Sequence, residues 1–188
     1  TFMQANDGFG GCLYFHIGSS GIAILDHVVM RKCSASHGGC GRVESMTKFN
    51  NVSALSCSAG NGGAFHVSSG HVEWKTGLIA DAYSRTGSHL FGGSAFRIFG
   101  SGSLTIEKVR FLRAFNLNGL GTTVFTENRA NITDCTFINH KGTDANVDIF
   151  YTSKTETETD PLLLQDNHFD RTGGVVVGLP RSCADEAA

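Results

Sequence analysis

With 188 residues, 40% of them hydrophobic, the chain can bury one sizeable core and suits a single domain spanning 1–188. A formal charge of −2, with no Lys/Arg cluster interleaved with aromatics, argues against nucleic acid as a partner, and no apolar run approaches the roughly 18 residues of a membrane-spanning helix. Glycine is nearly twice as frequent as usual at 24 residues while proline occurs only 2 times, which points to many turns that need positive φ and away from helix.

The pair Gly-Gly recurs at Gly10-Gly11, Gly38-Gly39, Gly62-Gly63, Gly92-Gly93 and Gly173-Gly174, and most pairs are followed within a few residues by an aliphatic or aromatic cluster. The first gaps are 28, 24 and 30 residues, and the last, of 81, has room for three turns of 27. Gly119-Leu120-Gly121 and Ala145-Asn146 stand where the missing anchors belong. A period of this length marks a repeat architecture in which each unit buries its apolar face against its neighbours. The predicted coils are 8–37, 38–61, 62–91, 92–118, 119–145 and 146–172, with 173–188 a partial coil and tail.

In chain order, each unit opens with a short apolar couple around one polar or amphipathic residue. Leu13 and Phe15 flank Tyr14, Phe65 and Val67 flank His66, and Phe96 and Ile98 flank Arg97. Alternation of this kind is the period of a half-buried strand, so the couples should stack as an inward column, with Phe15, Phe65, Phe96, Phe125 and Phe150 in or beside it. A second apolar stretch follows in each unit. The stretches 104–111, 130–137 and 162–169 align without a gap and place Ile106, Ile132 or Leu164 five residues before a Phe. An odd interval cannot put both residues inside one flat strand. A bend must therefore fall at Glu107-Lys108, Thr133-Asp134 and Gln165-Asp166. Three short strands per coil, with Gly and Asn at corners, predict an all-β fold: a single right-handed parallel β-helix of about six coils.

At this point the chain resembles the pectin-lyase-like superfamily, and looks most like the repeats of polymorphic outer membrane proteins. Gly62-Gly-Ala-Phe65 and Gly92-Gly-Ser-Ala-Phe96 match their Gly-Gly-Ala-apolar motif. Their Phe-x-x-Asn motif is matched poorly, because Ala114, His140 and Thr172 occupy the third place after Phe111, Phe137 and Phe169. The resemblance spans about residues 8–175 and implies a shape more than a chemistry. Because β-helix enzymes of that superfamily cleave polysaccharides, it also directs attention to carboxylates at matched offsets.

Asp134 and Asp166 are such carboxylates, with Lys108 above them and Glu107 adjacent; their place at the bend equally suits polar corner residues bonded to backbone. Tyr14, Arg42, His66 and Arg97 should form an outward row across the first four coils, suited to an anionic glycan or a protein carboxylate, since Arg binds such groups bidentately. Six cysteines suit an oxidising compartment. Cys12 with Cys40 and Cys33 with Cys57 occupy matched positions one layer apart, which predicts two inter-coil disulfides or a ladder of buried thiols. Cys135 and Cys183 have no such match. Asn51-Val-Ser53 and Asn131-Ile-Thr133 fit the glycosylation acceptor pattern at corners. No metal or other cofactor is expected, since no His-x-His, His-Glu-x-x-His or Cys-x-x-Cys spacing occurs, and no Gly-x-Ser-x-Gly elbow offers a nucleophile.

The resulting expectation is a non-catalytic structural or interaction module, located extracellularly, at a cell surface or in an organelle lumen, and binding a protein, a glycan or neighbouring subunits. The alternative is a lyase or hydrolase of acidic polysaccharides. A third reading is an ice-binding protein, based on the Thr/Glu alternation that follows Tyr151. The absence of a leader before Thr1 and of a cap on the first coil predicts a mature product, or part of a longer chain or assembly that covers the ends.

Overall fold

The computed structural model describes residues 8, 10–16, 21–85, 92–117, 123–142, 148–152, 162–170 and 175–178. Every regular element among them is a β-strand, and the strands pair in parallel within three sheets. The anchors at 119–121, 145–146 and 173–174, the Thr/Glu run beyond Thr152, Cys183 and the tail lie outside the described residues.

The chain visits the sheets in a fixed order. A seven-stranded sheet takes Leu13–Phe15, Gly41–Val43, Phe65–Val67, Phe96–Ile98, Val124–Thr126, Ile149–Thr152 and Val175–Gly178. After each visit the chain enters a nine-stranded sheet, whose longest members are Thr47–Leu55, His71–Ala80 and Ser103–Leu112. It then crosses a five-stranded sheet of short strands, Ser34–His37, Ser58–Asn61, Tyr83–Ser84, Phe115–Asn116 and Lys141–Gly142. Neighbouring strands in each sheet come from successive passages, so equivalent side chains stack about 4.8 Å apart.

Stacking turns the alternating pattern into columns. Leu25, Phe49, Trp74, Ile106, Ile132 and Leu164 are in register, as are Met30, Ala54, Ile79, Phe111, Phe137 and Phe169. The Phe111, Phe137 and Phe169 rings lie nearly parallel at successive centroid distances of 4.7 Å. On the seven-stranded sheet Phe65 and Phe96 are paired and stacked at 5.4 Å, facing Trp74 across the interior. Gly41 occupies the layer beside Phe65, where a Cβ would stand 2.9 Å from the ring. Phe15 lies one inward position further on, in line with Val43, Val67 and Ile98.

The phenylalanine column ends at Phe96. Val124 and Ile149 continue it, while Phe125 and Phe150 sit on the opposite side, in register with Arg97. The expected register was therefore off by one residue, a slip that exchanges the faces of a strand. Inward places go instead to Val124 and Thr126, both fully buried, and the two displaced rings stack on one another at 5.8 Å.

The odd interval is resolved inside the nine-stranded sheet. His27, Asn51, Thr76, Lys108, Asp134 and Asp166 all adopt left-handed backbone, with φ between 51° and 56°. Within Ser103–Leu112, Ile106 and Val109 are both buried on either side of Lys108, so one left-handed residue resets the alternation without ending the strand. The bend thus separates two halves of one sheet, and the third strand of each passage is the short one in the five-stranded sheet. Turns into that sheet use a second left-handed set, Lys32, Ser56, Asp81, Arg113 and Asn139, and turns out of it use Gly10, Gly38, Gly62 and Gly93.

The four N-terminal cysteines are bonded, but the pairing differs from expectation. Cys12 joins Cys33 and Cys40 joins Cys57, with Cα separations of 5.6 and 5.4 Å, so each bridge closes within one passage. Stacked equivalent residues project their Cβ atoms in parallel, whereas Cys12 and Cys40, each just before a strand of the seven-stranded sheet, can face Cys33 and Cys57, each just before a strand of the five-stranded sheet, and a disulfide requires such facing Cβ atoms.

Candidate binding face

On the outward side of the seven-stranded sheet, Tyr14 pairs with Arg42, Arg42 with His66, His66 with Arg97, and Arg97 with Phe125. The four residues expected to form a row therefore do. Their exposure is uneven, however: Tyr14 is 45% exposed, whereas His66 and Arg97 are only 5% and 3% exposed. An open cationic stripe is not what forms. Positions two residues on share the same face of a strand, and they crowd the row with His16, Glu44, Ser68 and Phe99. Phe99, itself 43% exposed, holds its ring centroid 5.3 Å from the Arg97 guanidinium carbon.

Glu44 is the hub of this array. Its Oε1 accepts from Arg42 Nε at 2.7 Å and from Ser68 Oγ at 3.3 Å, and its Oε2 accepts from the Tyr14 hydroxyl at 3.0 Å. His16 Nδ1 is a further 3.0 Å partner of Oε2. Burial alone would push the Glu44 carboxyl up, but hydrogen bonds from His16, Arg42 and Tyr14, with the Arg42 charge, bring it down to about 2. Nothing in the expected row included Glu44. The signal was available, because Arg42-Val43-Glu44 places an acid and a base on one strand face.

At the next layers the face becomes drier. Burial, reinforced by Arg97, His37 and Arg42, pushes His66 down to about 3, so its imidazole is neutral at physiological pH. Its Nδ1 has no hydrogen-bond partner among the described residues, and the His37 ring meets it edge-on at 5.2 Å. Burial lowers Arg97 to about 10, which leaves it charged. Arg97 lies in the field of Glu127, whose charge partly restores the guanidinium's pKa.

No family model matches the sequence, and no curated protein or solved structure is significantly similar to it. Function has to be argued from the residues themselves.

The remaining candidates separate. Asp134 and Asp166 are exposed members of the left-handed ladder, with φ of 52° and 53°, conformations that Asp tolerates better than most residues. Asn51 belongs to the same ladder and is exposed, whereas Asn131 is half-buried in mid-strand, in register with Thr105 and Leu163 rather than at a corner. The Sγ atoms of Cys33, Cys40 and Cys57 lie within 4.8 Å of one another. Their disulfides leave no thiolate among them to take a metal. Cys135 is a buried free thiol that burial pushes up to about 11, which makes it a core residue rather than a nucleophile.

The Glu44 hub gives a pH test. A carboxyl held below its ordinary value stabilises the fold above the unfolded pKa, and that contribution is lost as pH falls through the folded value. Stability should fall between about pH 4.5 and 2 by an amount on the order of 3 kcal/mol from this group. Urea titrations across that range should show a shallower acid loss for Glu44→Gln; an unchanged slope would remove Glu44 as the hub.

Proposed function

We propose that the chain is a single right-handed parallel β-helix of about six coils that serves as a non-catalytic interaction module, with a glycan as the partner of the seven-stranded sheet's outward face. The supporting observation is the array itself. Two exposed aromatics, Tyr14 and Phe99, stand on a rigid sheet about three layers apart, or roughly 14 Å. Between them lie the hydrogen-bonding groups of Arg42, Glu44, His16 and Ser68. Aromatic faces cover apolar sugar surface while fixed polar groups take the hydroxyls, which is how small polar sites combine burial with orientation. Arg42 is committed to Glu44, so the face favours a neutral or mildly acidic glycan over a polyanion.

A non-catalytic role is supported by the state of the acids. Glu44 is tied to Arg42, Glu73 to Lys48 and Lys75, Asp81 to Arg113, and Glu107 to Lys108. Glycosidic cleavage needs one carboxyl poised to give up a proton near neutral pH, and each of these four is held below its ordinary range. Two disulfides fit an extracellular or lumenal location, and no helix among the described residues is long and apolar enough to cross a membrane.

The test is a screen of immobilised oligosaccharides followed by calorimetry. Tyr14→Ala and Phe99→Ala should each weaken binding about tenfold, the loss of roughly 1.4 kcal/mol of contact. Absence of binding to every glycan, or release of reducing or unsaturated sugars on incubation, would overturn this reading.

A further inference from the structure

A groove of about 300 Å³ lies on a different part of the molecule, where the nine-stranded sheet turns into the five-stranded one. Its floor is aliphatic, formed by Leu55, Leu78 and Leu112 from three successive passages, all half-buried. The rim is the second left-handed ladder. At one end are Arg31 and Lys32, both exposed and without an ion-pair partner among the described residues. At the other, Arg113 grips Asp81 through two hydrogen bonds of 2.6 and 2.9 Å. The charges therefore do not balance: one end is neutralised internally, and the other carries two unanswered cations beside an apolar floor.

We infer that this groove binds an extended acidic peptide segment that places an aliphatic side chain on Leu55, Leu78 and Leu112 and a carboxylate against Arg31 and Lys32. The rim spans the four layers from Lys32 to Arg113, roughly 14 Å from first to last. That is the reach of about four extended residues. Half-buried leucines flanked by exposed polar residues make a shallow, partly wetted floor. A lipid chain laid there would stay half in water, whereas a peptide brings polar backbone for the rim and one apolar side chain for the floor. The acid supplies the charge that the Arg31 end lacks, and pairing there is screened by salt.

The test uses a fluorescein-labelled four-residue peptide of alternating Leu and Glu, read by fluorescence polarisation on the intact protein. It should bind saturably, its Leu/Gln and Ser/Glu counterparts at least tenfold more weakly, and raised salt should loosen it. Arg31→Glu, a reversal at an exposed strand position, should reduce binding at least tenfold, with circular dichroism and melting unchanged. Tyr14→Ala should leave it intact, which separates this groove from the proposed glycan face. Equal affinity for Leu/Glu and Leu/Gln peptides, tighter binding of decanoate than of the peptide, or an unchanged affinity in Arg31→Glu would each overturn the inference. Concentration-dependent dimerisation abolished by Arg31→Glu, without peptide binding, would do so too by assigning the groove to a second copy of the chain.

Discussion

Trp74→Ala is expected to cost about 3 to 5 kcal/mol of stability, the range for removing a fully buried aromatic, and to lower the melting temperature by about 6 to 20 °C. Trp74 is wholly inaccessible and touches three rings, with centroids 4.8 Å from Phe49, 5.2 Å from Phe65 and 5.8 Å from Phe96. It joins the columns of two sheets, so a cavity here loosens both walls. Its indole N–H also donates to the carbonyl of Thr76, a left-handed residue of the bend, at 3.1 Å. Below it, Gly77 lies so close that an added Cβ would stand 2.5 Å from the indole nitrogen. The surroundings therefore have little freedom to close over the gap, which is the circumstance in which large-to-small substitutions cost most. Trp74→Phe should lose less than half as much. Chemical denaturation followed by circular dichroism measures both, and a loss below about 1 kcal/mol for the alanine variant would deny Trp74 its place at the hub.

The parts of the fold legible in the sequence were those encoded by apolar alternation. Leu104 and Ile106, or Phe65 and Val67, announce strands because half-buried strands need that period, and the five-residue step from Ile106 to Phe111 announces a bend because parity forbids anything else. Where side chains are small, the signal disappears. Ser58–Asn61 and Tyr83–Ser84 turn Ala59 and Ser84 inward, and neither residue stands out from a loop, so a whole sheet went unread and the two halves of Ser103–Leu112 were counted as separate strands. Phe125 shows the complementary failure. Hydrophobicity marked it as core, yet Val124 and Thr126 hold the inward places, because the parity of a three-residue strand is set by its neighbours' register and not by its own composition. On the candidate binding face, the row of Tyr14, Arg42, His66 and Arg97 followed from alignment of the repeats. Its burial did not follow, since that depends on Phe99, Glu44 and His37 closing in from adjacent positions and from the neighbouring sheet.

Loss of either disulfide is expected to cost about 3 kcal/mol, since the bridges close sequence separations of 21 and 17 residues and the chain-entropy argument gives that value for loops near 15. For a chain of this size the melting temperature should fall by about 6 to 12 °C per bridge. In later passages the positions equivalent to Cys40 and Cys57 carry Ala64 with Ala82 and Ala95 with Ala114, all buried, so close packing of small side chains there takes the place of the covalent tie. The pairing itself can be tested with one variant. In Cys57→Ser the liberated thiol should be Cys40, with Cys12 and Cys33 still joined, as read by alkylation under denaturing conditions and peptide mass mapping. If Cys33 were alkylated instead, the bridges would run between passages, and the parallel projection of stacked side chains would have been the wrong reason to expect otherwise.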